Sequence, residues 1–376
     1  MKELPMSFST DSIGKSLLRT SVLTVALAVC SSAAQAAPNQ QDQSGEPTAD
    51  AFGTISKKIV HPLADWVLTM NPFGNPNAVP AGIQPPAGSN AAASSPISYH
   101  TGPVMTSLSK VVVIWYGNWN QSNSSDTPVG QQIIRDALYG LSQVISGSST
   151  YTNYAGITTT ATSSQLSNYY QTDKSSVTQV SAETIEEHPQ PTSSTYGGKT
   201  LTDAYVLKLV KTYASANGAS PDPNAIYLVL SSSDIAESSG FLSRYCGWHT
   251  YATVGTTPVK YAFIGNPKKR LSSCSYQTTA SPNNNPGVDA MTSVIAHELM
   301  EAVTDPQLNA WYNANGQENG DMCAWTFGSN QTLLANGSYY NVTLPTSSTS
   351  SGNYLLQRAL ASTNSACYIN ADGPQQ

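Results

Sequence analysis

Most of the chain's chemical potential lies in one helical stretch, residues 294–305, VIAHELMEAVTD. At about 100° per residue, His297 and Glu301 stand about 40° apart around a helix axis, and Glu298 lies about 60° beyond Glu301, so the three share one face. Met291, Ile295, Leu299 and Ala302 fall on another face, toward a core. The pattern is close to H-E-x-x-H, in which two ligands one turn apart hold zinc and the Glu beside them acts as general base. Here Glu301 replaces the second His. A carboxylate there adds negative charge to the metal's shell, weakens its Lewis acidity and lets harder ions such as Mn²⁺ or Ca²⁺ compete with Zn²⁺.

A further ligand is available from Glu318 or Asp321 in the loop 313–321, NANGQENGD, 17 and 20 residues beyond Glu301. Asp305 ranks below them. The spacing resembles that of thermolysin-like peptidases, where a downstream Glu is followed three or four residues later by an acid. Gly316 and Gly320 make this segment a loop rather than a second helix. The competing reading is a solvated helix face, where H-E-x-x-E arises by chance. Against it, the chain's few acids gather here, Cys323 anchors the segment, and the helix is too apolar for a plain surface element.

Other candidates carry less. His249, in YCGWHT, reads as a structural imidazole bonded to backbone, with lining a cleft as the lesser alternative. His100 in YHTGPVM reads the same way. Ser231-Ser232-Ser233-Asp234 stands at a strand exit but lacks the G-x-S-x-G elbow of a serine hydrolase.

The elements that must position these residues are legible as alternating strands and helices. Residues 110–119, KVVVIWYGNW, suit a buried strand. Residues 129–144 repeat apolar side chains at helical spacing, with Pro128 in the first turn. A second helix is expected over 201–216, ended by Asn217-Gly218, and a second strand over 225–235. A shorter strand at 261–265, a third helix at 288–304 stopped by Asp305-Pro306, and a late strand at 354–360 complete the set. The expected fold class is α/β, a single domain with a mixed sheet flanked by helices and a zincin-like active helix.

Residues 1–36 read as a cleavable signal peptide. Lys2, Lys15 and Arg19 precede the apolar run 22–29, and Ala34-Gln35-Ala36 supplies the small residues signal peptidase needs. That run is shorter than the roughly 20 apolar residues of a membrane span, and no later stretch is longer. Residues 37–98, rich in Pro, Ala and Gly, read as a linker or pro-segment with little fixed structure, interrupted by an apolar island at 55–70. Residues 99–376 form the expected α/β domain.

Removal of the signal takes Cys30 and leaves Cys246, Cys274, Cys323 and Cys367, which fit two disulfides in an oxidising compartment. Order along the chain favours Cys246 with Cys274 and Cys323 with Cys367. Charged residues make up 11% of the chain and the net charge is −6, a surface suited to the extracellular milieu and opposed to nucleic-acid binding.

The ordered segments YHTGPVM, VIWYGNW, IIRDALYGLS, LVLSSSDI, YCGWHT, AFIGNP, GVDAM and NYLLQRAL, closed by Cys367, resemble the EXORDIUM or phosphate-induced protein 1 family, known mainly from plant cell walls. The resemblance covers nearly all of 99–376. It implies an extracellular protein linked to growth responses, without an assigned reaction. Combined with the helix 294–305, the expectation is a secreted protein that binds a divalent metal, zinc first, through His297, Glu301 and Glu318 or Asp321. Glu298 would be the catalytic base of a peptidase-like hydrolysis. The alternative is a non-catalytic, wall-associated module with a structural metal. The expected partners are extracellular peptides, proteins or cell-wall components.

Overall fold

The run KVVVIWY is β-branched and aromatic without interruption, so its residues have apolar neighbours to meet on both faces of a sheet. In the computed structural model it is the strand Lys110–Tyr116, buried throughout except at Lys110. The structure describes residues 49–50, 53–54, 58–62, 97–105, 110–142, 150–152, 158–160, 184–189, 199–328, 331–346, 350–361 and 366–368. The signal-peptide expectation for 1–36 lies outside them.

Six strands build the central sheet: β1 Ile59–Pro62, β2 Lys110–Tyr116, β3 Thr184–Pro189, β4 Ala225–Ser231, β5 Tyr245–Val254 and β6 Thr257–Gly265, in the order β1-β5-β6-β4-β2-β3. Pairings β3/β2, β2/β4 and β4/β6 are parallel. β5 then returns antiparallel to β6, and β1 is antiparallel to β5, so the sheet is mixed.

Side chains alternate across this sheet with the period of two that a strand imposes. Val111, Val113, Trp115, Ile226, Leu228 and Leu230 meet helices α1 Pro128–Ser142 and α3 Pro286–Thr304 on one face. Val112, Ile114, Tyr116, Tyr227 and Val229 meet α2 Asp203–Ala214 on the other. The result is a three-layer α/β arrangement.

Helix boundaries follow local chemistry. Thr202 caps α2 by accepting from the Tyr205 N–H at 3.3 Å. Asn285 does the same for α3 through the Val288 N–H at 3.3 Å, and Pro286 occupies the first turn, where its missing N–H costs nothing. Helix α3 has no solvent face: every residue from Gly287 to Thr304 is buried. Its apolar side, including Met291, Ile295 and Leu299, fills the core beneath the sheet. Truncating Leu299 to Ala there would cost about 2–5 kcal/mol.

Three segments add to or depart from the sequence expectations. Within 37–98, Ile59–Pro62, inside the apolar island at 55–70, extends the sheet beside β5, and Lys58 reaches Asp203 at 3.0 Å. The late strand breaks: Ser351–Tyr354 pairs with Val342–Pro345, residues 355–358 leave the ladder, and Ala359–Ala361 pairs with Ala366–Tyr368. Finally, β5 was not anticipated as a strand, although YCGWHTYATV carries the aromatic and β-branched residues that favour one.

Both disulfides form in the order expected, Cys246–Cys274 with Cα atoms 5.5 Å apart and Cys323–Cys367 at 5.7 Å. The first ties β5 to the helical turn Leu271–Cys274. The second ties the loop after α3 to the last hairpin. No helix among the described residues is long and apolar enough to cross a membrane.

Candidate metal centre

Three elements converge on the polar side of α3. The helix itself contributes His297, Glu298 and Glu301. Strand β5 contributes His249, and the loop beyond the helix, pinned by Cys323, contributes Glu318 and Asp321. Alternation explains the strand's part: Trp248 faces α2, so Gly247 and His249 on either side of it face α3.

The distances are short. His297 Nε2 lies 3.0 Å from Glu301 Oε1 and 3.7 Å from Asp321 Oδ1. His249 Nδ1 lies 3.0 Å from Glu298 Oε2 and 3.4 Å from Glu301 Oε2, while its Nε2 is 3.5 Å from Glu318 Oε1. None of these side chains is more than 2% exposed. The backbone holds the loop in place: the Asp321 N–H donates to Glu301 Oε1 at 2.9 Å, and the Glu318 N–H to Asp321 Oδ2 at 3.2 Å.

Asp305 belongs to the neighbourhood but has another task. Its Oδ1 accepts the Asn309 and Ala310 N–H groups at 2.6 and 2.7 Å, which fixes the turn leaving α3.

Four carboxylates buried around two imidazoles make a strongly anionic centre. Burial opposes protonation of His297, but the Glu301 and Asp321 carboxylates outweigh it and push its pKa up to about 10. His249 is raised in the same way, burial being overcome chiefly by Glu318. Burial and the Glu301 charge raise Glu298 to about 7 and Asp321 to about 6. Glu301 moves the other way: burial would raise it, but the two imidazoles hold it below the usual carboxylate range. The site draws positive charge from whatever can supply it.

Hydrogen bonding leaves much of this polarity unanswered. Glu298 Oε1, Glu301 Oε2, both Glu318 oxygens, Asp321 Oδ1 and His249 Nε2 are buried without a hydrogen bond. Such groups are costly in a native interior and call for an ion or water. The backbone approaches them closely at two glycines. A Cβ at Gly320 would come within 2.7 Å of Glu301 Oε1 and 2.8 Å of His297 Cε1, and one at Gly247 within 3.1 Å of Glu298 Oε1. Orphaned oxygens, imidazole nitrogens and two glycine-lined walls fit a divalent cation with N/O ligands.

The structure thus brings His297, Glu298, Glu301, Glu318 and Asp321 together from one helix and one loop. It adds His249, which the sequence reading treated as structural. The signal was available in principle: once YCGWHT is a strand with Trp248 on one face, His249 must occupy the opposite, buried face. The Ser231–Asp234 segment stays apart from this centre, with Ser232 Oγ donating to Asp234 Oδ1 at 2.5 Å and Ser233 bonded to Asp126. His100 stacks on Tyr312, ring centroids 3.7 Å apart, in keeping with a structural role.

Residues 97–368 match the family model described as the phosphate-induced protein 1 conserved region. The chain belongs to the phosphate-induced protein 1 family. That conserved region spans every residue of the centre and all four paired cysteines. The chain is similar to Protein EXORDIUM-like 5 of Arabidopsis thaliana, 30% identical over 256 residues, covering 62% of this chain and 65% of that relative, just under two thirds of its length. It is similar to Protein EXORDIUM-like 3, 30% identical over 255 residues covering 62% and 69%, and to Protein EXORDIUM, 27% identical over 241 residues covering 57% and 68%, both of Arabidopsis thaliana. No solved structure matches the chain.

Proposed function

We propose that this member of the phosphate-induced protein 1 family is a secreted metalloprotein whose divalent cation, zinc first and Mn²⁺ next, supports hydrolysis of an extracellular peptide or wall component. The observation that carries the reading is the set of buried, unbonded ligand atoms shared by α3, β5 and the loop 318–321. The His297 imidazole among the ligands favours Zn²⁺ or Mn²⁺ over Ca²⁺, which takes oxygen ligands. Secretion is supported by the leader-like residues 1–36 and by the two disulfides.

When bound, the cation would act as a Lewis acid and lower the cost of generating a hydroxide-like nucleophile. The chain's own residues divide the remaining work. His297, Glu301 and Asp321, with Glu318, would hold the ion. Glu298 would accept and return a proton beside the ion, and His249 on its Oε2 fixes its orientation.

A second reading, a non-catalytic wall-associated module locked by a structural ion, is favoured by the depth of the centre. The cleft lined by Tyr276, Ser293, Trp325 and Phe327 touches none of the ligands. One experiment separates the two. The zinc-loaded protein and Glu298→Gln are incubated with a peptide library and with wall extracts, and products are read by mass spectrometry. The hydrolytic reading expects cleavage by the wild type that the variant loses at unchanged melting temperature. Absence of cleavage in a metal-replete protein overturns it in favour of the structural reading.

A further inference from the structure

The ligands of the centre form two triads rather than one set. His249, Glu298 and Glu301 each offer a ligand atom, all within 4.8 Å of one another, and so do His297, Glu301 and Asp321. Glu301 belongs to both and serves them with different oxygens, Oε1 toward His297 at 3.0 Å and Oε2 toward His249 at 3.4 Å. A carboxylate with one oxygen turned to each of two triads is placed as the bridge of a two-metal centre, whose ions stand about 3.5–4 Å apart.

We propose that the centre is binuclear, with two divalent transition-metal cations bridged by Glu301, one bound by His249 and Glu298 and the other by His297 and Asp321. This rests on the metal reading above and adds its stoichiometry and the ligand role of β5.

Charge supports it. Glu298, Glu301, Glu318 and Asp321 carry four formal negative charges at side chains no more than 2% exposed, and their ion pairs are with the two imidazoles. With both imidazoles neutral as metal ligands, one divalent cation balances two of those four formal charges and two balance all of them. Unmet bonding points the same way. Glu298 Oε1 and Glu301 Oε2 are unbonded on carboxylates that face His249 Nδ1, and Asp321 Oδ1 on one that faces His297. A tetrahedral ion among His297, Glu301 and Asp321 leaves the His249 side unanswered.

A glycine serves each triad as well. A Cβ at Gly247 would lie 3.1 Å from Glu298 Oε1 and one at Gly320 2.7 Å from Glu301 Oε1, so both glycines let ligand side chains approach the backbone closely. Each triad therefore has one imidazole, one private carboxylate, a share of Glu301 and one glycine wall. Glu318 stands 3.5 Å from the other ring nitrogen of His249, Nε2, across the imidazole from Glu298 and Glu301. In this arrangement Glu298 is a ligand rather than a free base, and that difference is measurable.

The full-length secreted protein is loaded with Mn²⁺, freed of excess ion and analysed for metal per chain and by electron paramagnetic resonance, alongside Glu298→Gln and Asp321→Asn. The expected result is two equivalents with an exchange-coupled spectrum in the wild type, and one equivalent with an isolated-ion spectrum in each variant. One equivalent in the wild type overturns the binuclear centre and leaves the metal reading standing. No bound metal, with Mn²⁺ or with Zn²⁺, overturns both. Two equivalents in folded Glu298→Gln also overturn it, because that carboxylate would then be no ligand. The wild-type count decides the matter even if a variant fails to fold.

Discussion

Glu301 stands between two imidazoles contributed by different elements, 3.0 Å from His297 on its own helix and 3.4 Å from His249 on the neighbouring strand. That relationship turns a helix motif into a centre, because it couples the helix to strand β5 of the sheet through one carboxylate. It also distinguishes the arrangement from a lone H-E-x-x-E face, whose side chains would point to solvent. The consequences can be measured residue by residue.

His249 should prove essential to metal affinity although it lies 48 residues before His297. His249→Ala is expected to weaken Zn²⁺ binding by at least about tenfold, the scale seen when even an orienting residue of a metal site is lost. Competition with a chromophoric chelator reads the change. Unaltered affinity would return His249 to the structural role its sequence context suggests.

Gly320 should tolerate no side chain. A Cβ there meets Glu301 Oε1 at 2.7 Å and His297 Cε1 at 2.8 Å in a packed interior. Gly320→Ala is expected to cost about 1–3 kcal/mol and to lower metal affinity together with stability. Denaturant unfolding with and without Zn²⁺ tests this, and a variant with wild-type affinity would show that the close approach does not bear on the ligands.

The Cys323–Cys367 bridge spans 44 residues and restrains the loop that carries Glu318 and Asp321. By the chain-entropy argument its loss destabilises the protein by roughly 4 kcal/mol. Replacing both cysteines with Ser should lower the melting temperature and reduce metal affinity. The pair Cys246–Cys274 should matter as well, by fixing the start of β5 near His249.

Lys260 gives a pH dependence away from the centre. Burial lowers its pKa from 10.5 to about 8 despite its bonds to the Pro223 and Pro258 carbonyls. Between those two pH values the unfolded chain holds a proton that the folded chain has released, so stability rises with pH across the window. Below pH 8 the penalty of burying the charge is complete. The rise should be on the order of 1–3 kcal/mol. Lys260→Met should abolish it and raise the melting temperature at pH 7; equal slopes in variant and wild type would contradict this.

Much of the fold could be read from the residues alone. The strands at 110 and 225 are apolar on both faces, and α3 declares itself by its apolar period and Asp305-Pro306. β5 is less legible because Gly247 and the disulfide-forming Cys246 stand at its start, whereas aromatic and threonine residues continue the strand after them. Ile59–Pro62 was hidden by Pro- and Gly-rich surroundings; four residues suffice when an edge supplies the partners. The helix half of the centre was legible from local spacing. The strand half was not, because no local rule tells which distant strand a helix will face, and so His249 was assigned to backbone structure.

The most direct test of the account is the metal content of the purified secreted protein beside Glu301→Gln, which keeps the side chain's shape and removes the shared charge. Both are dialysed against buffer containing micromolar Zn²⁺ and then against metal-free buffer, and analysed by elemental mass spectrometry with folding checked by circular dichroism. The account predicts stoichiometric metal in the wild type and only trace metal in the folded variant. Equal trace amounts in both proteins would contradict it.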